Sequence, residues 1–145
     1  MLRKQQPQTT QKGVGTRQGL AIAQRLPGLN EILQATNSGR GAGNRYRDMK
    51  ADIEYMIVCE CKRQKIKPVR QAVWLAFTWY EHTMKRDMDN IAAAKKFLID
   101  GLVGAGVMPG DGWRWLLGFS DRFVLDREAG PGVTVGIDTT PPPQV

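Results

Sequence analysis

Histidine and cysteine are scarce in this chain, and their scarcity removes several kinds of chemistry at once. His82 stands alone, and Cys59 and Cys61 are the two thiols among 145 residues. A tetrahedral zinc site draws on four Cys or His ligands, which this set cannot supply. The two thiols sit two apart in a stretch of helical pattern, where positions i and i+2 face different ways. A shared metal or disulfide is therefore disfavoured, and free thiols are expected. No apolar run approaches the ~20 residues needed to span a bilayer. The N-terminus is polar where a signal peptide would need an apolar segment. A soluble, cytoplasmic protein with no membrane partner is expected. The chain has no internal repeat.

What is present suits one folded domain with an anionic partner. The length matches a single core, and a hydrophobic fraction of 41% argues against global disorder. The formal charge is +7 and the pI about 9.7. Such a balance favours a polyanion, because each phosphate neutralised by Lys or Arg releases counterions. Part of the charge is local. Arg3, Lys4, Lys12 and Arg17 fall among the first 18 residues with no acid, and removing them leaves +3 on the rest. Charge alone does not choose the partner.

Residues 1–18 read as a flexible basic tail, 19–138 as the folded domain and 139–145 as a proline-rich tail ending the chain. Leu20–Ala23 is a short apolar run stopped by Leu26-Pro27-Gly28. A glycine-rich stretch, Gly39–Gly43, leads to Asn44, a good helix cap. Tyr46, Met49, Ile53, Met56 and Ile57 then recur at helical spacing to about Lys65. Ala72–Tyr80 is rich in aromatic and β-branched residues and predicts a strand. A second helix starts near Asn90, carries Ile91, Ala94, Leu98 and Leu102, and stops at Gly104 and Gly106. Trp113–Leu125 and Gly132–Ile137 read as two more strands. The order β-α-β-α-β-β predicts an α+β single domain, its mixed or antiparallel sheet covered by two helices.

Lys85-Arg86-Asp87-Met88-Asp89-Asn90 joins the second strand to the second helix. Were it extended, Asp87 and Asp89 would project to one side. Two carboxylates so close stay charged only beside a cation or basic group, and magnesium suits them because it takes oxygen ligands and keeps waters. Arg86 would suit a phosphate. The same residues also serve as a helix cap, and the motif alone favours capping over metal binding. Asp111 lies in the turn Gly110-Asp111-Gly112. It would join the other two acids if the third strand runs beside the second, although Asp next to Gly is also a common turn. Lys95 and Lys96 are the nearest helical cations. Lys96 lies seven residues beyond Asp89 on nearly the same face, and a solvated lysine pair is the plain alternative.

Two further features have structural and functional readings. Lys62, Arg63, Lys65, Lys67 and Arg70 would hold duplex DNA or complement a helix C-terminus. Trp74, Trp79, Trp113 and Trp115 invite base stacking, but their strand-like surroundings favour core or dimer packing.

Taken together, these segments resemble the RusA-type Holliday-junction resolvases, in the form common among phage members. KRDMDN is similar to the family's acidic signature, and LPGLNE to its N-terminal motif. RQKIKPV with FTWYE resembles its central strand, DNIAAAKKFLIDGLVGAGV its second helix and DGWRWLLGFSD its third strand. The resemblance spans about Leu20 to Asp138. It implies a RusA-like homodimer that resolves four-way junctions by paired symmetric nicks, with magnesium (or manganese) as cofactor. It places the metal and catalytic acids on Asp87, Asp89 and Asp111, and DNA contacts on Lys85, Arg86 and Lys95. The family's catalytic lysine follows the second acid by four residues, where this chain has Ala93. Three extra residues in the helix, counted back from the matching Asp100, put it at Lys96, with Lys95 the other candidate. A branched-DNA-binding protein without chemistry, and a nuclease for other branched DNA, stand as alternatives.

Overall fold

The computed structural model describes residues 17–37 and 42–140. Its elements are β1 (Arg17–Ile22), α1 (Leu29–Asn37), α2 (Ala42–Arg63), β2 (Val73–Glu81), α3 (Met88–Ala92), α4 (Lys95–Gly104), β3 (Leu116–Leu125) and β4 (Gly132–Asp138). The class is α+β in a single small domain, and the described residues form one four-stranded sheet ordered β1-β4-β2-β3. β4 pairs antiparallel with both β1 and β2, whereas β2 and β3 run parallel. The sheet is therefore mixed. A parallel pair requires a crossover, and α3 with α4 provides it.

Alternation builds the core. Val73, Leu75, Phe77 and Trp79 of β2, Val133, Val135 and Ile137 of β4, and Leu20 and Ile22 of β1 are buried on one face of the sheet. Ile53, Ile57 and Cys61 of α2 join them in one core with Phe97, Leu98 and Leu102 of α4. A Cβ at Gly101 would come within 2.7 Å of the Ile57 side chain, so glycine there lets the two helices approach closely. Among the described residues no helix is long and apolar enough to cross a membrane.

Among the described residues, four helical segments replace the two expected. α1 was hidden between two turn signals, Pro27-Gly28 and the later glycines. Its start is nevertheless a capping arrangement, because the Gly28 N–H donates to Glu31 Oε1 at 2.7 Å and Ile32 N–H donates to the Gly28 carbonyl at 3.0 Å. The second predicted helix is broken after Ala92, and α4 restarts on the Ala94 carbonyl, with Ala94 itself in the core. No glycine or proline marks that break.

Boundaries moved as well. β1 begins at Arg17, inside the predicted tail, where Arg17 pairs with Asp138 at 3.1 Å. Residues 1–16 and 141–145 of the expected tails, and most of the glycine-rich stretch at 38–41, lie outside the described residues. β3 starts at Leu116 and not at Trp113.

Candidate functional site

The acidic motif leaves the C-terminal end of β2, and its local structure rests on an ion pair that periodicity could not reveal. Arg86 donates through Nη2 and Nε to the Glu81 carboxylate at 2.6 and 3.3 Å, and through Nη1 to the Leu26 carbonyl at 3.1 Å. The two side chains are only 13% and 14% exposed. A planar guanidinium gripping a carboxylate at two points fixes geometry as well as charge. Asn90 adds a second tie, its Oδ1 accepting from the Asn30 N–H at 3.1 Å. A Cβ on Gly28 would lie 2.6 Å from Asn90 Oδ1 and 3.0 Å from Arg86 Nη1. The segments LPGLN and KRDMDN are thus interlocked, and glycine is required where they meet.

The two acids stand outside this lock. Asp87 occupies the N-cap position of α3 with extended backbone (φ −70°, ψ 158°), yet its side chain makes no cap hydrogen bond. Only its backbone carbonyl takes part, accepting from Ile91 N–H at 3.0 Å. Asp89 lies in the first turn of the helix. The extended arrangement predicted for the pair therefore holds for Asp87 alone. Both residues are exposed, and neither carboxylate has a hydrogen-bond or ion-pair partner among the described residues. An open pocket of about 310 Å³ borders Asp87, lined on its apolar side by Met84, Met88, Ile91, Phe123 and Leu125.

Asp111 and Lys96 meet each other elsewhere. Lys96 Nζ lies 3.2 Å from Asp100 and 3.7 Å from Asp111. Lys50 of α2 reaches the same Asp100 at 3.2 Å and also pairs with Glu54. Hydrogen bonding to Asp100, with Asp111 nearby, holds the Lys96 ammonium above its ordinary range against the cost of burial. This relay clamps α2, α4 and the following loop together.

β3 does run beside β2, as the convergence of three acids required. It runs parallel, however, so the crossover delivers Asp111 before the start of β3 while Asp87 follows the end of β2. Among the described residues no group of three or more His, Cys, Asp or Glu side chains is placed to hold a metal ion. The structure joins Asp111 to Lys96, and it does not join Asp111 to Asp87 and Asp89.

The three cations expected on DNA differ in how far their charge is spent. Arg86 is committed to Glu81 and Leu26. Lys95 is 16% exposed, pairs with Asp121 at 2.6 Å and lies 3.9 Å above the Phe119 ring, while Asp121 also accepts from the Trp79 indole at 2.8 Å. It fastens α4 to the outer strand. Lys85 is exposed, and its ammonium has no carboxylate partner among the described residues. Glu81 and Lys50 escaped sequence reasoning, and Asp100 entered it only as the marker from which Lys96 was placed. Glu81 carried a faint signal, an acid closing a strand five residues before an arginine.

Comparison of the chain with protein-family models and with curated proteins finds no match.

Proposed function

We propose that this chain is a magnesium-dependent, RusA-like endonuclease that nicks branched DNA, in particular four-way junctions, by phosphodiester hydrolysis. The observation that carries the proposal is the contrast inside KRDMDN. Arg86 and Asn90 are engaged in holding the segment, while Asp87 and Asp89 keep free, solvent-facing carboxylates. A cap would have used Asp87, and it is not used.

Asp87 and Asp89 are the residues that would hold the metal. The donor set fits magnesium, which binds through one or two carboxylates and completes its shell with waters and substrate phosphate. When bound, the ion would supply Lewis-acid stabilisation of charge developing on the phosphate and a water acidic enough to attack it. The chain's own residues orient this centre. Arg86, fixed by Glu81, sets the direction in which Asp87 leaves β2, and Lys85 offers an unspent charge to a neighbouring phosphate. Asp111 and Lys96, which the resemblance adds to the centre, form a separate ion pair, and Asp111→Asn measures the share of its acid in the reaction.

A homodimer belongs to the same proposal. β3 is an edge strand with exposed Leu117, Phe119 and Leu125, and such an edge invites a second strand. Work on DNA in this manner places the chain in the cytoplasm, that of the host where a phage carries it. A branched-DNA-binding protein without chemistry is the second candidate, favoured by the one fact that among the described residues no third carboxylate joins the pair.

The decisive experiment incubates a synthetic four-way junction with the protein and magnesium, beside an EDTA control and the variants Asp87→Asn, Asp89→Asn and Asp111→Asn. Paired, symmetric nicks are expected, falling by roughly 100-fold or more in the first two variants, as loss of several kcal/mol of charge stabilisation requires. Equal cutting of linear duplex would sink the junction specificity. Tight binding with no nicks would support the second candidate.

A further inference from the structure

The C-terminus of α2 is closed by a residue that is strained in its place. Ile66 N–H donates to the Cys61 carbonyl at 2.9 Å and Lys65 N–H to the Lys62 carbonyl at 3.1 Å, the two bonds of a Schellman cap. Such a cap needs one left-handed residue, and glycine suits it because a Cβ crowds the next carbonyl there. This chain has Lys65 at that point, with φ 59°, and among the described residues no other non-glycine has a positive φ. Ile66 beside it packs against the core, whereas Lys65 is exposed and has no carboxylate partner among the described residues. Strain kept for an exposed, unpaired cation calls for a reason outside the fold.

Lys65 belongs to a run of charge with no acid in it. From Cys61 to Tyr80 the chain holds Lys62, Arg63, Lys65, Lys67 and Arg70 and neither Asp nor Glu. Arg63 is spent on Glu60 at 2.7 Å, and the other four are exposed without a carboxylate partner among the described residues. Acids on neighbouring elements have cations of their own, Asp138 holding Arg17 and Asp111 lying near Lys96. The dipole of α2 accounts for Lys62 and Arg63 in its last turn, but it fades beyond that turn and does not account for Lys67 and Arg70. Those two line an open cavity of about 450 Å³ between Gln18 and Thr139, and among the described residues no acid and no aromatic ring lines it. The backbone that carries them is fixed. The Gln18 side chain accepts from Lys67 N–H at 2.7 Å and donates to the Lys67 carbonyl at 2.9 Å, and Val69 N–H donates to the Val107 carbonyl at 2.8 Å.

We propose that Lys65, Lys67 and Arg70 form a phosphate-contact surface for double-stranded DNA, one arm of the branched substrate. A duplex fits because cations on fixed backbone suit phosphates of regular spacing, whereas single strands are held largely by stacked aromatic rings, which this cavity lacks. The choice of DNA as the polyanion rests on the function proposed above. The surface lies before the start of β2, and Asp87 follows its end. A strand of nine residues, about 26 Å long, separates them, a length that about eight base pairs of duplex would span. The surface thus holds an arm at a distance from the acids and takes no part in the chemistry.

The test uses the full chain in EDTA and a fluorescein-labelled, unbranched duplex, with anisotropy measured across a salt series. The double variant Lys67→Gln with Arg70→Gln keeps the backbone bonds to Gln18. It is expected to bind unrelated duplex sequences equally weakly, with a salt slope smaller by about 1.8, or about 0.9 for each lost phosphate contact. Lys65→Gly is expected to lose about 0.9 of slope and yet to melt above the wild type, because glycine suits the left-handed position. Arg25→Gln removes a charge already held by Glu31 and should leave the slope unchanged. An unchanged slope in the double variant or in Lys65→Gly would overturn the proposal, as would a lower melting temperature in Lys65→Gly. An equal loss per charge in Arg25→Gln would also overturn it, since binding would then follow net charge alone. So would a wild type that leaves duplex unbound at low salt, which would give the surface to an acidic protein. Nicking in magnesium is read separately. Duplex binding through these residues without nicking refutes the nuclease and leaves the surface standing, and nicking with an indifferent double variant does the reverse.

Discussion

The two ends of the parallel pair β2 and β3 are built on opposite principles. Where β2 ends, charge is spent on structure: Arg86 is buried against Glu81, Glu31 caps α1, and Asn90 ties α3 to α1. Among the described residues, Lys85, Asp87 and Asp89 remain without a partner for their charge there. Where the strands begin, charge is left in water: Lys67, Arg70 and Arg114 have no carboxylate partner among the described residues, and Trp113 is exposed. The first design suits a centre whose geometry must not drift. The second suits a polyanion, which supplies its own partners on arrival. The lesson is that a basic residue in a motif and a basic residue on a surface are different objects. Arg86 and Lys95 were expected to contact DNA, and in the structure each is paired with a carboxylate, Glu81 and Asp121.

Substitution at matching positions in the two ends would sharpen this difference or erase it. The largest effect is expected for Glu81→Ala, which strands a mostly buried guanidinium and should cost about 3 kcal/mol in urea unfolding. Arg114→Ala should stay within about 0.5 kcal/mol of wild type. A loss below 1 kcal/mol for Glu81→Ala would mean that water relieves Arg86 and that the two ends do not differ as described.

The glycines allow a finer comparison. Gly28→Ala drives a methyl group against Asn90 and Arg86, and overpacking of this kind costs roughly 1–3 kcal/mol. Gly112→Ala meets nothing within 4 Å and should be close to neutral. Similar melting temperatures for the two variants would show that the LPGLN and KRDMDN segments are not locked.

The smallest effect is a pH dependence at the capped end. Burial alone would raise the Glu31 carboxyl, but the Gly28 N–H and Arg25 outweigh it and hold the group below its ordinary value of 4.5. A depressed folded pKa stabilises the fold above the unfolded value, and that contribution is lost as pH falls through the folded one. Glu31 is partly exposed, so the contribution is a few tenths of a kcal/mol after screening. Unfolding at pH 5 and pH 3 should show wild type losing that much more than Glu31→Gln. Equal losses would remove Glu31 from the group of structural charges.

Sequence pattern revealed the elements wherever one face was repeatedly apolar. β2 and β4 alternate through Val73–Trp79 and Val133–Ile137, and α2 repeats at helical spacing, so each was legible within a few residues. α1 was not, because its signal is a cap at Glu31 with only Ala35 fully buried beneath it. The position of Trp113 was misjudged for a related reason. Its aromatic neighbours imitate a strand, while the hydrogen bonds to the Gly112 carbonyl that make a turn leave no trace in hydrophobic period.

By itself, then, the sequence determined the class of fold, the buried faces of α2, β2 and β4, and the segment in which two acids lie close together. All three follow from local periodicity and residue type, which act within a few turns of chain. The tertiary structure alone decided that β3 runs parallel to β2, that Asp111 faces Lys96 and not Asp87, and which cations are spent. Strand direction depends on how a crossover packs, and an ion pair such as Arg86–Glu81 or Lys95–Asp121 depends on where two distant backbones place their side chains. No local pattern carries that information.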